Sequence, residues 1–216
     1  MNKTIILIED DLSQVQDMLL SIQSIVFISS KMGLVNSPQN FDTKICVLHT
    51  IWDDQKPDSD GFDRIKRILE TRQQDLAAQD QGFIPKLVYE YDYISLDKSI
   101  YSDNMELCKD EICKKVNIIR NDSNYVLMLD LVLLKGVDQN QVTKEDKKIL
   151  SQLLYQEYID NCIPYTNYDD GDFSFPKKWS EGVPTKKIPY ERFVIDGNVI
   201  YNPFKNEIYK CLKIGE

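Results

Sequence analysis

The chain has 216 residues, enough for one large domain or one domain with a substantial insertion. Acidic residues outnumber basic ones by 35 to 26, and the net charge of −9 argues against a nucleic-acid-binding protein, since phosphate binding needs clustered lysine and arginine. Five cysteines without paired spacing and a single histidine argue against zinc, and no apolar run approaches the length of a membrane span. The odd cysteine count and the lack of a signal peptide predict a cytoplasmic protein.

The first predicted unit is a β-strand at 3–8 that runs into the acidic turn Glu9-Asp10-Asp11. A helix follows, because apolar residues recur at helical spacing from Leu12 to Ile22. Asp11 or Ser13 is a suitable residue to cap that helix. Three acids at the end of one strand are more than a cap requires.

The pattern is looser between roughly 25 and 84, and we place an insertion there. Short strands are predicted at 25–28 and 44–48, and an acidic loop at 52–61. A helix is predicted to begin at Phe62.

The second half alternates strands and helices. The predicted strands are 85–94, 125–136 and 162–167, and the predicted helices are 105–116 and 144–158. An extended irregular loop at roughly 168–190 carries aromatic residues and suits partner binding. Two short strands at 193–195 and 199–201 flank a hairpin-type turn, and a final helix is predicted at 206–212.

Asp130 is the exception within the apolar run 125–136, which is typical of a strand buried on both faces. A buried carboxylate is costly unless it is paired or binds a metal. We therefore expect Asp130 at the carboxyl end of its strand, in the crevice where open α/β sheets hold ligands. A strand-end aspartate that caps a turn is the simpler alternative for this residue alone.

Polar side chains follow several predicted strands. Glu9 and Asp10 follow the first strand, Asp130 the central one, Thr166 a later one and Asn202 the last. In a parallel sheet these strand ends converge on one crevice. Gathered carboxylates repel one another unless a hard cation lies between them, and Mg²⁺ prefers such oxygen ligands.

These motifs resemble the receiver domain of bacterial two-component response regulators. They are Ile-Leu-Ile-Glu-Asp-Asp (6–11), Leu-Met-Leu-Asp-Leu (127–131), Pro-Tyr-Thr-Asn (164–167) and Asn-Pro-Phe (202–204). The resemblance implies an α/β fold of the flavodoxin-like, doubly wound type: a five-stranded parallel sheet with helices on both faces, here with an inserted segment. The whole chain, 1–216, would be a single atypical receiver-like domain.

The resemblance also implies a role for each site residue. Glu9 and Asp10 would position Mg²⁺, with Asp130 as a further ligand and the phospho-acceptor. The backbone carbonyl of Val132 would complete the metal ligands, and the Thr166 hydroxyl would meet the phosphoryl group. The implied partners are a histidine kinase or another phosphodonor and a protein that responds to the phosphorylated form. A homodimer is compatible with this interpretation, whereas nucleic acid and membrane are not expected.

The chain departs from the family pattern at several positions. Asn202 stands where the family has lysine, and a neutral amide offers the phosphoryl group a weaker hydrogen bond than an ammonium does. Leu134 replaces a proline that usually follows the acceptor, and Val199 replaces an aromatic residue.

These departures leave three hypotheses. The first is an atypical receiver that is phosphorylated on Asp130 with Mg²⁺, regulates a protein partner and is not an enzyme. The second is a phosphorylation-independent pseudo-receiver that acts as a protein-interaction module. The third, a Mg²⁺-dependent phosphohydrolase, is disfavoured because Val132 stands where such enzymes carry a second acid.

Overall fold

A computed structural model describes residues 3–31, 43–79, 87–97, 104–120, 124–130, 133, 144–165, 194–195 and 198–199. The strands in these ranges are β1 (Lys3–Glu9), β2 (Thr43–Trp52), β3 (Leu87–Leu96), β4 (Asn124–Asp130), β5 (Cys162–Tyr165), β6 (Val194–Ile195) and β7 (Asn198–Val199). The helices are α1 (Leu12–Lys31), α2 (Ser59–Gln79), α3 (Met105–Arg120) and α4 (Lys144–Glu157).

Strands β1 to β5 form one sheet in the order β3-β2-β1-β4-β5, and every neighbouring pair is parallel. The predicted α/β class and the five-stranded parallel sheet are therefore confirmed. β6 and β7 form a separate antiparallel pair in which Val194 lies opposite Val199. The antiparallel pairing predicted for these two strands is confirmed, although Asn198, predicted as a turn residue, belongs to β7.

Successive side chains of the central strand β1 enter two different cores. Ile5 and Leu7 pack with residues of α1 and α2 on one face of the sheet. Ile6 and Ile8 pack with residues of α3 and α4 on the other face. All four side chains are fully buried, which explains why β1 is apolar throughout instead of alternating.

The range 25–84, predicted as an insertion, supplies β2 and α2 in its described part. β2 pairs with β1 from Thr43 to His49, and Phe62, Ile65 and Leu69 of α2 pack into the first core. Its status as an insertion stays a prediction. The predicted strand at 25–28 is wrong, because those residues continue α1. Continuing the hydrogen bonds of an existing helix outweighs the local strand preference of β-branched residues.

Candidate metal centre

The candidate site lies where β1 and β4 end side by side. These strands pair in register up to Ile8 and Leu129, so Glu9 and Asp130 come next on adjacent strands. The strand order also reverses here, since β2 and β3 lie on one side of β1 and β4 and β5 on the other. Such switch points are where open parallel sheets bind ligands, and Asp130 at the end of β4 is confirmed at this edge.

Three carboxylates meet at this point. Glu9, Asp10 and Asp130 each offer an oxygen, and these atoms all lie within 4.8 Å of one another. Glu9 and Asp130 are buried, with 0% and 1% of their surface exposed, and Asp10 is partly buried. Clustered carboxylates of this kind suit a hard cation with oxygen ligands, so the cluster could hold a metal ion.

The three residues of the acidic turn have different structural roles. Asp11 caps α1: its Oδ1 accepts a 2.9 Å hydrogen bond from the Ser13 amide and a 2.6 Å bond from the Ser13 hydroxyl. Glu9 Oε1 accepts hydrogen bonds from the amides of Asp10 at 2.9 Å and Asp11 at 3.1 Å. Asp11 thus serves as the cap of α1. The turn that Glu9 stabilises places Asp10 in the cluster.

Ser151 of α4 anchors the end of β4. Its hydroxyl donates a 3.1 Å hydrogen bond to the backbone carbonyl of Asp130, and its side chain is fully buried. This bond connects the end of β4, which carries Asp130, to α4. Sequence reasoning missed Ser151; a small hydroxyl residue beside the apolar positions Leu150 and Leu154 of a helix was the available signal.

His49 was also missed as a site residue. It lies on β2 opposite Glu9 and is 6% exposed. Its Nε2 is 3.3 Å from the backbone oxygen of Asp10, and its Nδ1 is 2.8 Å from the Tyr91 hydroxyl on β3. Burial lowers the pKa of His49, against the opposing effects of Asp10 and other nearby acids. The sequence pattern gives no signal for such a residue, because its position beside the acid cluster depends only on how β2 pairs with β1.

A cavity of about 380 Å³ adjoins the cluster on the β2 side. Its lining residues come from the ends of β1 and β2 and the loop that follows: Asp10, His49, Thr50, Ile51, Trp52, Gln55 and Lys56. Gln55 Oε1 accepts a 3.0 Å hydrogen bond from the Trp52 amide, which folds this loop over the end of β2. Asp10 belongs to both the cluster and the cavity wall.

The two buried cysteines, Cys46 and Cys108, do not suit a nucleophile paired with His49. Cys46, the nearest cysteine in sequence on β2, is buried, and burial raises the pKa of its thiol to about 12. Burial likewise raises the pKa of Cys108 to about 11. Both thiols therefore remain protonated near neutral pH. Because only a thiolate is strongly nucleophilic, neither suits that role.

Three predicted site residues, Val132, Thr166 and Asn202, lie outside the described residues, as do the loop at roughly 168–190 and the final helix. Their roles stay predictions. The last described residue of β5, Tyr165, pairs with Asp130, and Thr166 follows it in the sequence.

A scan against protein-family models, a search of curated proteins and a search of solved structures each gave no significant match. Within the described part of the chain, no helix is long and apolar enough to cross a membrane.

Proposed function

We propose that this protein is an atypical response-regulator receiver that binds Mg²⁺ and is phosphorylated on Asp130 to regulate a protein partner. The observation that carries the proposal is the convergence of Glu9 and Asp10 from β1 with Asp130 from β4 at the switch point of the sheet. The four motifs resemble those of receivers, and receivers bring acidic residues from the ends of two strands together in this way.

The sheet topology supports the same proposal. A flavodoxin-like sheet has the order 2-1-3-4-5, in which the first strand lies between the second and the third. Here β1 lies between β2 and β4, and β4 carries the acceptor. Without β3 the order β2-β1-β4-β5 corresponds to the first four strands of that arrangement. β3 (Leu87–Leu96) is then an additional strand at the edge, and it follows the predicted insertion at roughly 25–84 in the chain.

The observed order β3-β2-β1-β4-β5 also occurs in dinucleotide-binding sheets, but the first turn disfavours that function. Those proteins place a glycine-rich turn after the first strand so that the pyrophosphate can approach the backbone. This chain places Glu9, Asp10 and Asp11 there. Their carboxylates would repel a pyrophosphate that arrived without a cation.

Each residue has a definite task in the proposed reaction. Mg²⁺, held by Glu9, Asp10, Asp130 and the carbonyl of Val132, would supply positive charge against the phosphoryl oxygens. An Asp130 carboxylate oxygen attacks phosphorus, and the bond from phosphorus to the donor breaks as the donor leaves with the electron pair. The Ser151 hydroxyl holds the backbone of Asp130 in place during this step. Thr166 and Asn202 would then contact the phosphoryl oxygens.

The second candidate is the pseudo-receiver, a docking module of the same fold without phosphoryl transfer. Asn202 favours it, because an amide replaces the charged donor that the family uses. The aromatic residues of the loop at roughly 168–190 would then serve a constitutive partner. A phosphohydrolase remains the weakest candidate, since Val132 cannot act as a general acid.

Intact-mass spectrometry after incubation with acetyl phosphate and Mg²⁺ separates the candidates. A receiver gives one phosphoryl adduct that the Asp130→Asn variant lacks and that chelation of Mg²⁺ prevents. Asp63→Asn, which changes an exposed aspartate of α2, is the matched control and should keep the adduct. No adduct on the folded wild-type protein would reject phosphorylation and favour the docking module.

A further inference from the structure

The backbone of Asp10 depends on different support from that of the other two acids in the cluster. Glu9 and Asp130 are the last residues of β1 and β4, so strand pairing holds their backbones. Asp10 comes after β1, in the turn that leads to the start of α1 at Leu12. Its carboxylate therefore stays with the other two only while this turn keeps one conformation, because rotation about the backbone dihedrals of Asp10 would redirect the side chain.

Two side chains hold the peptide unit between Asp10 and Asp11. Glu9 Oε1 accepts a 3.1 Å hydrogen bond from the N–H of this unit, which belongs to Asp11. The His49 ring donates from Nε2 to the carbonyl oxygen of the same unit, which belongs to Asp10, at 3.3 Å. The N–H and C=O of a trans peptide lie in one plane and point in opposite directions, so the two bonds together resist rotation of that plane.

His49 is itself held in place from a third strand. The register of β2 against β1 sets it opposite Glu9, and the residue is 6% exposed. Its Nδ1 lies 2.8 Å from the hydroxyl of Tyr91 on β3, and Tyr91 packs against the first core. With a hydrogen-bond partner on each nitrogen, the imidazole has a fixed orientation.

We propose that His49 is a positioning residue for the metal site: by holding the Asp10 carbonyl, it keeps the Asp10 carboxylate turned toward Glu9 and Asp130. The proposal rests on the metal-binding part of the proposed function, since it assigns a support to one of the ligands. His49 is not a ligand itself, because both ring nitrogens take part in hydrogen bonds. Loss of such a supporting hydrogen bond weakens metal binding in other proteins.

Two amide substitutions separate the two hydrogen bonds of the ring. In His49→Gln, the side-chain amide nitrogen can take the place of Nε2 and donate to the Asp10 carbonyl. In His49→Asn, the side chain is one methylene shorter, so its amide can take the place of Nδ1 near Tyr91 but does not reach Asp10. Both variants keep a polar group beside Tyr91 or Asp10, and only His49→Gln keeps the bond that the proposal needs.

The test measures the dissociation constant for Mn²⁺ by electron paramagnetic resonance, since carboxylate sites that suit Mg²⁺ also suit Mn²⁺. We expect the dissociation constant to rise roughly three- to tenfold in His49→Asn, the effect of one hydrogen bond. It should stay within about twofold of the wild-type value in His49→Gln. His49→Met, with an apolar side chain of similar length, is a second variant without the donor and should weaken binding as His49→Asn does.

Arg72→Met is the control for a general loss of stability. Arg72 hydrogen-bonds to Gln23 and Ser24, about three turns along α1 from the acidic turn. This variant should bind Mn²⁺ as the wild-type protein does. Asp130→Asn, which removes a proposed ligand, should weaken binding and so assign the Mn²⁺ to the cluster.

Carbonyl-carbon NMR of the metal-free protein gives a readout that does not depend on the ion. A hydrogen bond deshields a carbonyl carbon, so the Asp10 resonance should move upfield in His49→Asn and stay near its wild-type position in His49→Gln. Urea denaturation shows beforehand that each variant is folded. An Asp10 resonance unchanged in His49→Asn would contradict the proposed bond.

The other outcomes distinguish failure of this role from failure of the proposed function. Equal Mn²⁺ affinity in wild type and His49→Asn would overturn the positioning role and leave the metal site intact. Equal losses in His49→Asn and His49→Gln would also overturn it, because the packing of the ring would then matter and not its donor. A wild-type protein that does not bind Mn²⁺, or binds it equally well after Asp130→Asn, would reject the metal site and the positioning role with it.

Discussion

The His49 ring donates a hydrogen bond from Nε2 to the backbone carbonyl of Asp10, at 3.3 Å. A carbonyl oxygen can only accept, so Nε2 carries the proton and Nδ1 accepts from the Tyr91 hydroxyl at 2.8 Å. Tyr91 in turn stacks on Phe62 of α2, with ring centroids 4.9 Å apart. One neutral imidazole thus connects the acidic turn after β1 to β2, β3 and α2.

We expect this histidine to titrate below its ordinary pKa of 6.5, because burial disfavours the charged ring. As the pH falls below 6.5, the unfolded chain takes up the proton before the folded protein does. The free energy of unfolding therefore decreases from about pH 6.5 down to the lowered pKa of the folded state. The His49→Gln variant lacks this titrating ring. Its free energy of unfolding should therefore depend less on pH between pH 6.5 and the lowered pKa of His49.

Because the chain has a single histidine, its ring resonance can be followed without overlap from other histidines. Proton NMR follows its ring resonance through a pH titration, and urea denaturation at several pH values gives the stability of both proteins. A titration midpoint at or above 6.5 would refute the predicted shift.

Mg²⁺ should stabilise the wild-type protein by about 2.7 kcal/mol at one hundred times its dissociation constant. Asp130→Asn should lose most of this response, because it removes one of three converging carboxylates. Without metal, the same variant should be more stable than the wild-type protein, since buried like charges repel. Urea denaturation with Mg²⁺ or with EDTA measures both effects. An undiminished response to Mg²⁺ in the variant would remove Asp130 from the metal site.

A buried polar network joins α1 to α2. Arg72 donates hydrogen bonds to Gln23 Oε1 at 2.9 Å and to the Ser24 hydroxyl at 2.8 Å, and Gln23 Nε2 donates to the Tyr89 hydroxyl at 3.2 Å. Arg72→Met should lower the free energy of unfolding by roughly 1–3 kcal/mol, because it leaves buried polar groups with fewer partners.

Arg67→Met is the matched control for Arg72→Met, since Arg67 lies on the exposed side of α2 and its side chain reaches only a backbone oxygen of the same helix. Its effect should stay within about 0.5 kcal/mol. Equal losses in both variants by chemical denaturation would show that the network contributes little.

Asp58 caps α2 directly after the loop that lines the cavity. Its Oδ1 accepts a 2.8 Å hydrogen bond from the Gly61 amide, and its carbonyl accepts one from Phe62 at 3.1 Å. Asp58→Ala should cost about 1 kcal/mol, whereas Asp58→Asn keeps a capping oxygen and should cost much less. Thermal unfolding of the two variants measures the difference, and similar melting temperatures would contradict the cap.

Local patterns in the sequence determined several elements of this protein. The apolar run before Glu9 indicated β1, helical spacing from Leu12 indicated α1, and the cost of burying Asp130 placed that residue at the end of its strand. Each of these inferences depends on neighbours in the chain, so the sequence carries it without further information. The meeting of Glu9 and Asp10 with Asp130 followed from one general rule about parallel sheets.

Only the tertiary structure decided which strands are neighbours. β3 lies at the sheet edge beyond β2, and His49 lies beside Glu9 because β2 pairs with β1 in that register. The cavity with Lys56 exists because the loop after β2 folds back near Asp10. Strand order and register depend on which distant segments bury each other's apolar faces, and no local pattern in the chain contains that choice.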